Sequence, residues 1–220
     1  MKLAPGTIIR ADAFLFDMDG TLVDSTDAIE RVWTRWALRH DLIPSQVLSA
    51  IHGVRIADTV RALAPRGSDI DAEIARLLSE EREEVDGIAP VAGARELLEC
   101  LPRDRWAVVT SADRGLPETR MHLAGLPRAP LLVAAEDVQA GKPVPDGYRI
   151  AAENLGLDCE ATVVFENSDT SILAGRNAGC PVIAVTATRV TPVLDQIDWI
   201  EDFASISVES TDRDVSLRVT

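Results

Sequence analysis

Asp17 and Asp19 stand one residue apart at the end of the apolar run AFLF, and Gly20-Thr21 follows at once. A buried ionised carboxylate is costly, and two at this spacing also repel, unless a cation or ligand offsets both effects. The pair therefore predicts a positive partner. Other chemistry-bearing residues close similar apolar runs: Thr110 and Ser111 follow AVV, Glu166 and Asn167 follow TVVF, and Lys142 lies in the loop GKPVPDGY ahead of a helical pattern. Carboxylates, hydroxyls, a lysine and a further acid suit phosphoryl transfer around a hard cation. Mg²⁺ fits such a set, because it takes a few oxygen ligands together with water and substrate phosphate.

These residues meet only if the runs are neighbouring strands. Short apolar segments at 13–17, 107–110, 130–135, 162–166 and 181–186 read as buried parallel strands, with helical patterns at 93–101, 115–124, 146–155 and 170–178 between the later ones. The order predicts a doubly wound α/β sheet, whose ligands bind at the carboxyl ends of the strands. Segment 25–86 offers only helical patterns. In STDAIERVWTRWALRH, Ile29, Val32, Trp33, Trp36 and Ala37 recur at helical spacing behind Ser25 as N-cap, and SQVLSAI, IADTVRAL and DIDAEIARLLSEEREEV suggest three more helices. The predicted organisation is a Rossmann-like core over 1–23 and 88–220 with a helical cap inserted at 24–87. Trp33 and Trp36 belong to the cap's buried stripe, and His40 suits the negative end of its helix. The run SEEREEVD reads as a solvated helix end and linker, and the polar tail ESTDRDVSLRVT as an edge strand or a frayed end.

The chain of 220 residues is 46% hydrophobic and 26% charged, which describes an ordinary globular protein large enough for one domain with an insertion. Its net charge of −14 argues against nucleic acid as partner. Cys100, Cys159 and Cys180 have no metal-ligand spacing and read as reduced, buried thiols. MKLAPGTIIRADAF lacks the pattern of a secretory leader, and no apolar run reaches membrane-spanning length, so no membrane partner and a cytoplasmic location are expected. A monomer or small homo-oligomer is expected.

Four motifs in order, FDMDGTLVDS at 16–25, VVTSA at 108–112, GKPVPDGY at 141–148 and VVFENSDTSILAGRNAG at 163–179, resemble the haloacid dehalogenase superfamily. The likeness is to subfamily I with a helical cap, and within it to the small sugar-phosphate and polyol-phosphate phosphatases. The resemblance implies that Asp17 is a nucleophile forming an aspartyl phosphate and that Asp19 is the general acid and base. It further implies that Thr110, Ser111, Ala112 and Lys142 bind phosphate and that Asp17, Asp19, Glu166 and the residue at 167 hold Mg²⁺. Which of Thr110 and Ser111 meets the phosphate depends on register, with Ser111 preferred. Family members usually carry Asp where Asn167 stands; the amide keeps a carbonyl oxygen but loses a charge. IHGVR at 51–55 resembles a cap element that makes His52 and Arg55 substrate contacts, whereas its plain reading is a helix ended by Gly53. The expected substrate is a small phosphorylated sugar or polyol. A phosphomutase like β-phosphoglucomutase and a weakened phosphometabolite-binding protein are the alternatives.

Overall fold

The computed structural model describes residues 1–188, 197–210 and 215–220. Its strands are β1 (Ile8–Ala11), β2 (Ala13–Phe16), β3 (Val23–Asp24), β4 (Ala89–Pro90), β5 (Trp106–Val109), β6 (Leu132–Val133), β7 (Thr162–Glu166), β8 (Val182–Val185), β9 (Asp198–Ile200), β10 (Ile206–Ser210) and β11 (Val215–Val219). The helices are α1 (Thr26–Arg39), α2 (Pro44–Ile51), α3 (Ile56–Leu63), α4 (Ile70–Glu83), α5 (Ala94–Cys100), α6 (Gly115–Leu123), α7 (Asp146–Asn154) and α8 (Asp169–Ala178).

Among the described residues the main sheet has the order β6-β5-β2-β7-β8-β9, with every pairing parallel. A parallel strand covered on both faces must be apolar throughout, and Ala13–Phe16 is buried at every position. Successive side chains alternate between faces. Phe14 and Phe16 join one core with Trp106, Phe165 and Phe203, whereas Leu15 joins Ala107, Val109, Tyr148 and Val164 on the other side. Phe16 stacks on Phe165 with ring centroids 5.2 Å apart, which fixes β2 against β7 one residue before Asp17. From β2 the chain runs outward through β5 and β6, then returns to β7 and builds the opposite side. Asp17 thus lies where the strand order reverses, the usual ligand crevice of such sheets.

Helices α1–α4 bury their own cluster of Val32, Trp33, Trp36, Ala37, Val47, Ile51, Val60 and Leu77. The two chain passages flanking them pair as an antiparallel ribbon, Val23 opposite Pro90 and Asp24 opposite Ala89. Trp33 and Trp36 pack edge to face, and His40 leans on Trp36 while meeting Glu73 at 2.9 Å.

Several expectations need correction. Within the tail, residues 211–214 lie outside the described residues; 215–219 are neither frayed nor an edge, because β11 is the centre of a three-stranded antiparallel sheet, β1-β11-β10, with Val215, Leu217 and Val219 buried. Strand β9 extends the main sheet beyond the last predicted strand. Cys100 is exposed and Cys159 half-buried, so only Cys180 is a buried thiol. The run SEEREEVD is not wholly solvated, because Glu81 is buried and Glu84 pairs with Arg31 and Arg35. No helix among the described residues is long and apolar enough to cross a membrane.

Candidate active site

Asp17 leaves β2 with its N–H donated to the Phe165 carbonyl, and the next five residues turn tightly. Leu22 and Val23 both donate to the Met18 carbonyl, while Gly20 donates to Val23 at 2.7 Å. Gly20 has φ +82°, and a Cβ there would lie 1.9 Å from the Asn167 side-chain nitrogen. Both conformation and space demand glycine. The Thr21 hydroxyl is buried without a hydrogen-bond partner, so it gives the turn no side-chain brace.

Lys142 is the positive partner of Asp17. Its Nζ donates to Asp17 Oδ1 at 2.8 Å, Glu166 Oε1 at 2.6 Å and the Val109 carbonyl at 3.2 Å, which uses all three donors. Tyr148 also donates its hydroxyl to Glu166 Oε1, and the Asn167 N–H donates to Glu166 Oε2 at 3.0 Å. Both oxygens of Glu166 are therefore engaged inside the protein, and the acid expected to face a metal is turned to the lysine. Burial, then the charge of Glu166, push the Asp17 carboxyl up to about 7 against the pull of Lys142. Burial alone would lower Lys142, but Asp17 and Glu166 outweigh it and hold the ammonium above its ordinary range. The two directions agree: two carboxylates share one cation, so the trio keeps a surplus negative charge.

Asp19 is held from the other side. Ser25 does not cap α1 through its side chain; its hydroxyl donates to Asp19 Oδ1 at 2.6 Å. Arg120 on α6 donates to the same oxygen at 2.8 Å and to Glu81 Oε2 of α4 at 3.1 Å. Burial pushes the Glu81 carboxyl up, and Arg120 pulls it back. Ser25, Glu81, Arg120 and Tyr148 were not anticipated as site residues. Periodicity did carry a signal for two of them: Arg120 shares the buried face of α6 with Leu116 and Met121, and Glu81 stands four residues after buried Leu77.

A cavity of about 460 Å³ opens above these residues between the sheet edge and α1–α3. Asp17, Asp19, Thr110, Ser111, Ala112 and Asn167 line its core side, and Ile29, Trp33, Ile51 and His52 its cap side. Thr110 Oγ1 accepts the Ala112 N–H at 3.1 Å and so shapes the turn, while Ser111 donates to the Gly53 carbonyl at 2.9 Å and ties cap to core. Arg55 does not line this cavity. Its guanidinium lies on Asp58 at 2.7 and 3.1 Å and on the carbonyls of Val138 and Gln139, so the residue expected to meet substrate is instead a strut between cap and core.

The donor set suits a hard divalent cation. At full ionisation Asp17, Asp19, Glu81 and Glu166 leave two negative charges after Lys142 and Arg120 are counted. No cluster of three His, Cys, Asp or Glu ligands forms among the described residues. Oxygen donors would therefore come from Asp17, from the Asp19 backbone and from the Asn167 amide, whose nitrogen is turned to Thr188 Oγ1 at 3.3 Å.

A family model described as haloacid dehalogenase-like hydrolase matches residues 11–179. The chain is 43% identical over 196 residues to hexitol phosphatase A of Escherichia coli strain K12, covering 87% of this chain and 91% of that protein. It is 31% identical over 207 residues to 2-deoxyglucose-6-phosphate phosphatase 1 of Saccharomyces cerevisiae, covering 84% and 83%. Among solved structures, β-phosphoglucomutase of Clostridium difficile superimposes with a TM-score of 0.76 over 88% of this chain and 92% of that one at 14% identity, a likeness of fold.

Proposed function

This chain belongs to the haloacid dehalogenase-like hydrolases, and on that premise we propose that it is a Mg²⁺-dependent phosphatase acting on a small phosphorylated sugar or polyol. The observation that carries the reading is Asp17, buried at the end of the central strand, gripped by Lys142 at 2.8 Å and open to a cavity of substrate size. Relatives named as hexitol and deoxyglucose-phosphate phosphatases support the substrate class.

In this reading an oxygen of Asp17 attacks phosphorus as the bond to the sugar oxygen breaks, and Asp19 gives that oxygen a proton. Asp19 then takes a proton from water, which attacks the aspartyl phosphate, releases phosphate and restores Asp17. Donors at the 110–112 turn offset charge on the phosphoryl oxygens, and Lys142, whose three N–H groups are spent on Asp17, Glu166 and Val109, adds its positive charge from behind Asp17. Asp17, the Asp19 carbonyl and Asn167 would hold Mg²⁺, which when bound would further neutralise that charge. Residues 24–87 form the cap that encloses the substrate, with His52 on its inner wall.

The test is phosphate release from a panel of sugar, polyol and aryl phosphates under Mg²⁺ titration, without a bisphosphate primer, so that hydrolysis is separated from a mutase cycle. Asp17→Asn should fold and release no phosphate, because an amide cannot form the aspartyl phosphate. Substantial turnover by pure, folded Asp17→Asn refutes the assignment.

A further inference from the structure

An arginine buried to 1% exposure inside a helix needs a reason, because its guanidinium must exchange water for protein partners. Arg120 finds two, and they come from different parts of the fold. One is Asp19 in the loop after β2; the other is Glu81 on α4, itself fixed on its second oxygen by the Trp33 indole N–H at 3.2 Å. A continuous hydrogen-bonded path thus runs from Trp33 on the cavity wall, through Glu81 and Arg120, to Asp19.

We propose that Arg120 is a positioning residue for Asp19, and that Glu81 makes its grip depend on the closed cap. The inference rests on the acid and base role proposed above for Asp19. Arg120 and Ser25 both meet Oδ1, so they hold that oxygen in place and leave Oδ2 outside their grip. The guanidinium is a rigid planar fork, and two carboxylates on two of its nitrogens set its orientation where one would leave it free to swing. When α4 departs, Arg120 loses Glu81 and that constraint. Arg82, the next residue on α4, pairs with Asp113 just beyond the Ser111 turn, so two ion pairs between α4 and the core form and part together. Closure over a substrate then assembles the proton donor in the same movement.

A triad serving only as glue between cap and core predicts the same stability effects, so the deciding readout is leaving-group dependence. An alkoxide must be protonated as it leaves, whereas 4-nitrophenolate leaves well without a proton. Glu81→Gln keeps the volume but sets an amide N–H against either the Trp33 or the Arg120 donor. Arg120→Lys keeps the charge but loses the fork. With glycerol, hexitol, phenyl and 4-nitrophenyl phosphates at saturating Mg²⁺, Glu81→Gln should lose about tenfold in kcat on the alkyl esters and clearly less on 4-nitrophenyl phosphate. Arg120→Lys should show the same bias more strongly, and Trp33→Phe, which keeps an aromatic ring but loses the N–H together with part of the indole, the same bias in milder form. Equal losses on alkyl and aryl esters, losses confined to KM, or no loss at all would return the triad to a structural role. Should either charged-site variant fail to fold, Trp33→Phe decides by the same comparison. Wild-type inactivity on every ester refutes the phosphatase reading and this inference with it; an active wild type with unbiased variants refutes this inference alone.

Discussion

Gly53 is one of the residues through which the cap rests on the core, and a single methyl group there should hold the cap off the site. Its φ is +75°, its carbonyl accepts the Ser111 hydroxyl at 2.9 Å, and a Cβ would stand 2.2 Å from Ser168 Oγ and 2.4 Å from Ser171 Oγ. The left-handed backbone costs alanine about 1 kcal/mol whether the cap is open or shut, so it lowers stability without altering closure. The collision exists only when the cap is shut. Ser168 is the N-cap of α8 and accepts the Ser171 N–H at 3.2 Å, so turning its hydroxyl away forfeits a cap worth about 1 kcal/mol. Lifting residue 53 instead breaks the Ser111 bond, a loss of about 1 kcal/mol. Either route, with the residual crowding, disfavours the closed state by about 1–2 kcal/mol, or roughly 5- to 30-fold in population. Gly53→Ala should therefore lower kcat/KM on a polyol phosphate by that factor, while the backbone strain lowers Tm by about 2–4 °C. Steady-state kinetics and thermal unfolding on the same preparation separate the two. A kcat/KM within about twofold of wild type would show that seating Gly53 between Ser111 and Ser168 is not part of the productive state.

Lys142→Met should slow alkyl and aryl esters alike by about 10²–10³-fold, because the ammonium acts on the phosphoryl oxygens and not on the leaving group. The unpaired Asp17 and Glu166 should also weaken the fold by about 3–5 kcal/mol in urea unfolding, and a strong bias against alkyl esters would contradict this role. Asn167→Asp should lower the Mg²⁺ concentration for half-maximal activity by about tenfold, equivalent to about 1.4 kcal/mol, read by phosphate release and by calorimetry at fixed ionic strength. If the variant binds Mg²⁺ no more tightly, residue 167 is not at the metal.

The core was legible because a parallel sheet imposes continuous apolar runs, and each run ends in the polar residues gathered at the sheet's carboxyl edge. The ends of AFLF, WAVV and TVVFE therefore announced Asp17, Thr110 and Glu166 in sequence, and a helical spacing announced the tryptophan stripe of the cap. Partners were another matter. Nothing in a period of two or 3.6 residues says that Arg120 will meet Asp19, 101 positions earlier, or that Glu81 will leave a charged run to join them. The most that pattern offers is that each sits on a buried face, where a charge requires a partner. The polar look of the tail concealed VSLRV, whose strict alternation buries Val215, Leu217 and Val219.

The amide at position 167 has a hydrogen-bonding role that a carboxylate could not fill. Asn167 donates to Thr188 Oγ1, and the Thr188 hydroxyl in turn donates to the Gly20 carbonyl at 2.8 Å, so the amide's donor completes a link that pins the aspartate loop. A carboxylate at 167 cannot donate. Either Thr188 turns its hydrogen to the new carboxylate and abandons Gly20, or two acceptors face each other, and each outcome costs about 1 kcal/mol or more. The site already holds four carboxylates against Lys142 and Arg120, so a fifth would add repulsion wherever the cation is absent. Asn167→Asp should therefore tighten metal binding and loosen the apo fold together, with Tm lower than wild type in chelator and recovering as Mg²⁺ is added. A variant more stable than wild type in chelator would show that the Thr188 link contributes nothing and that position 167 carries no electrostatic burden.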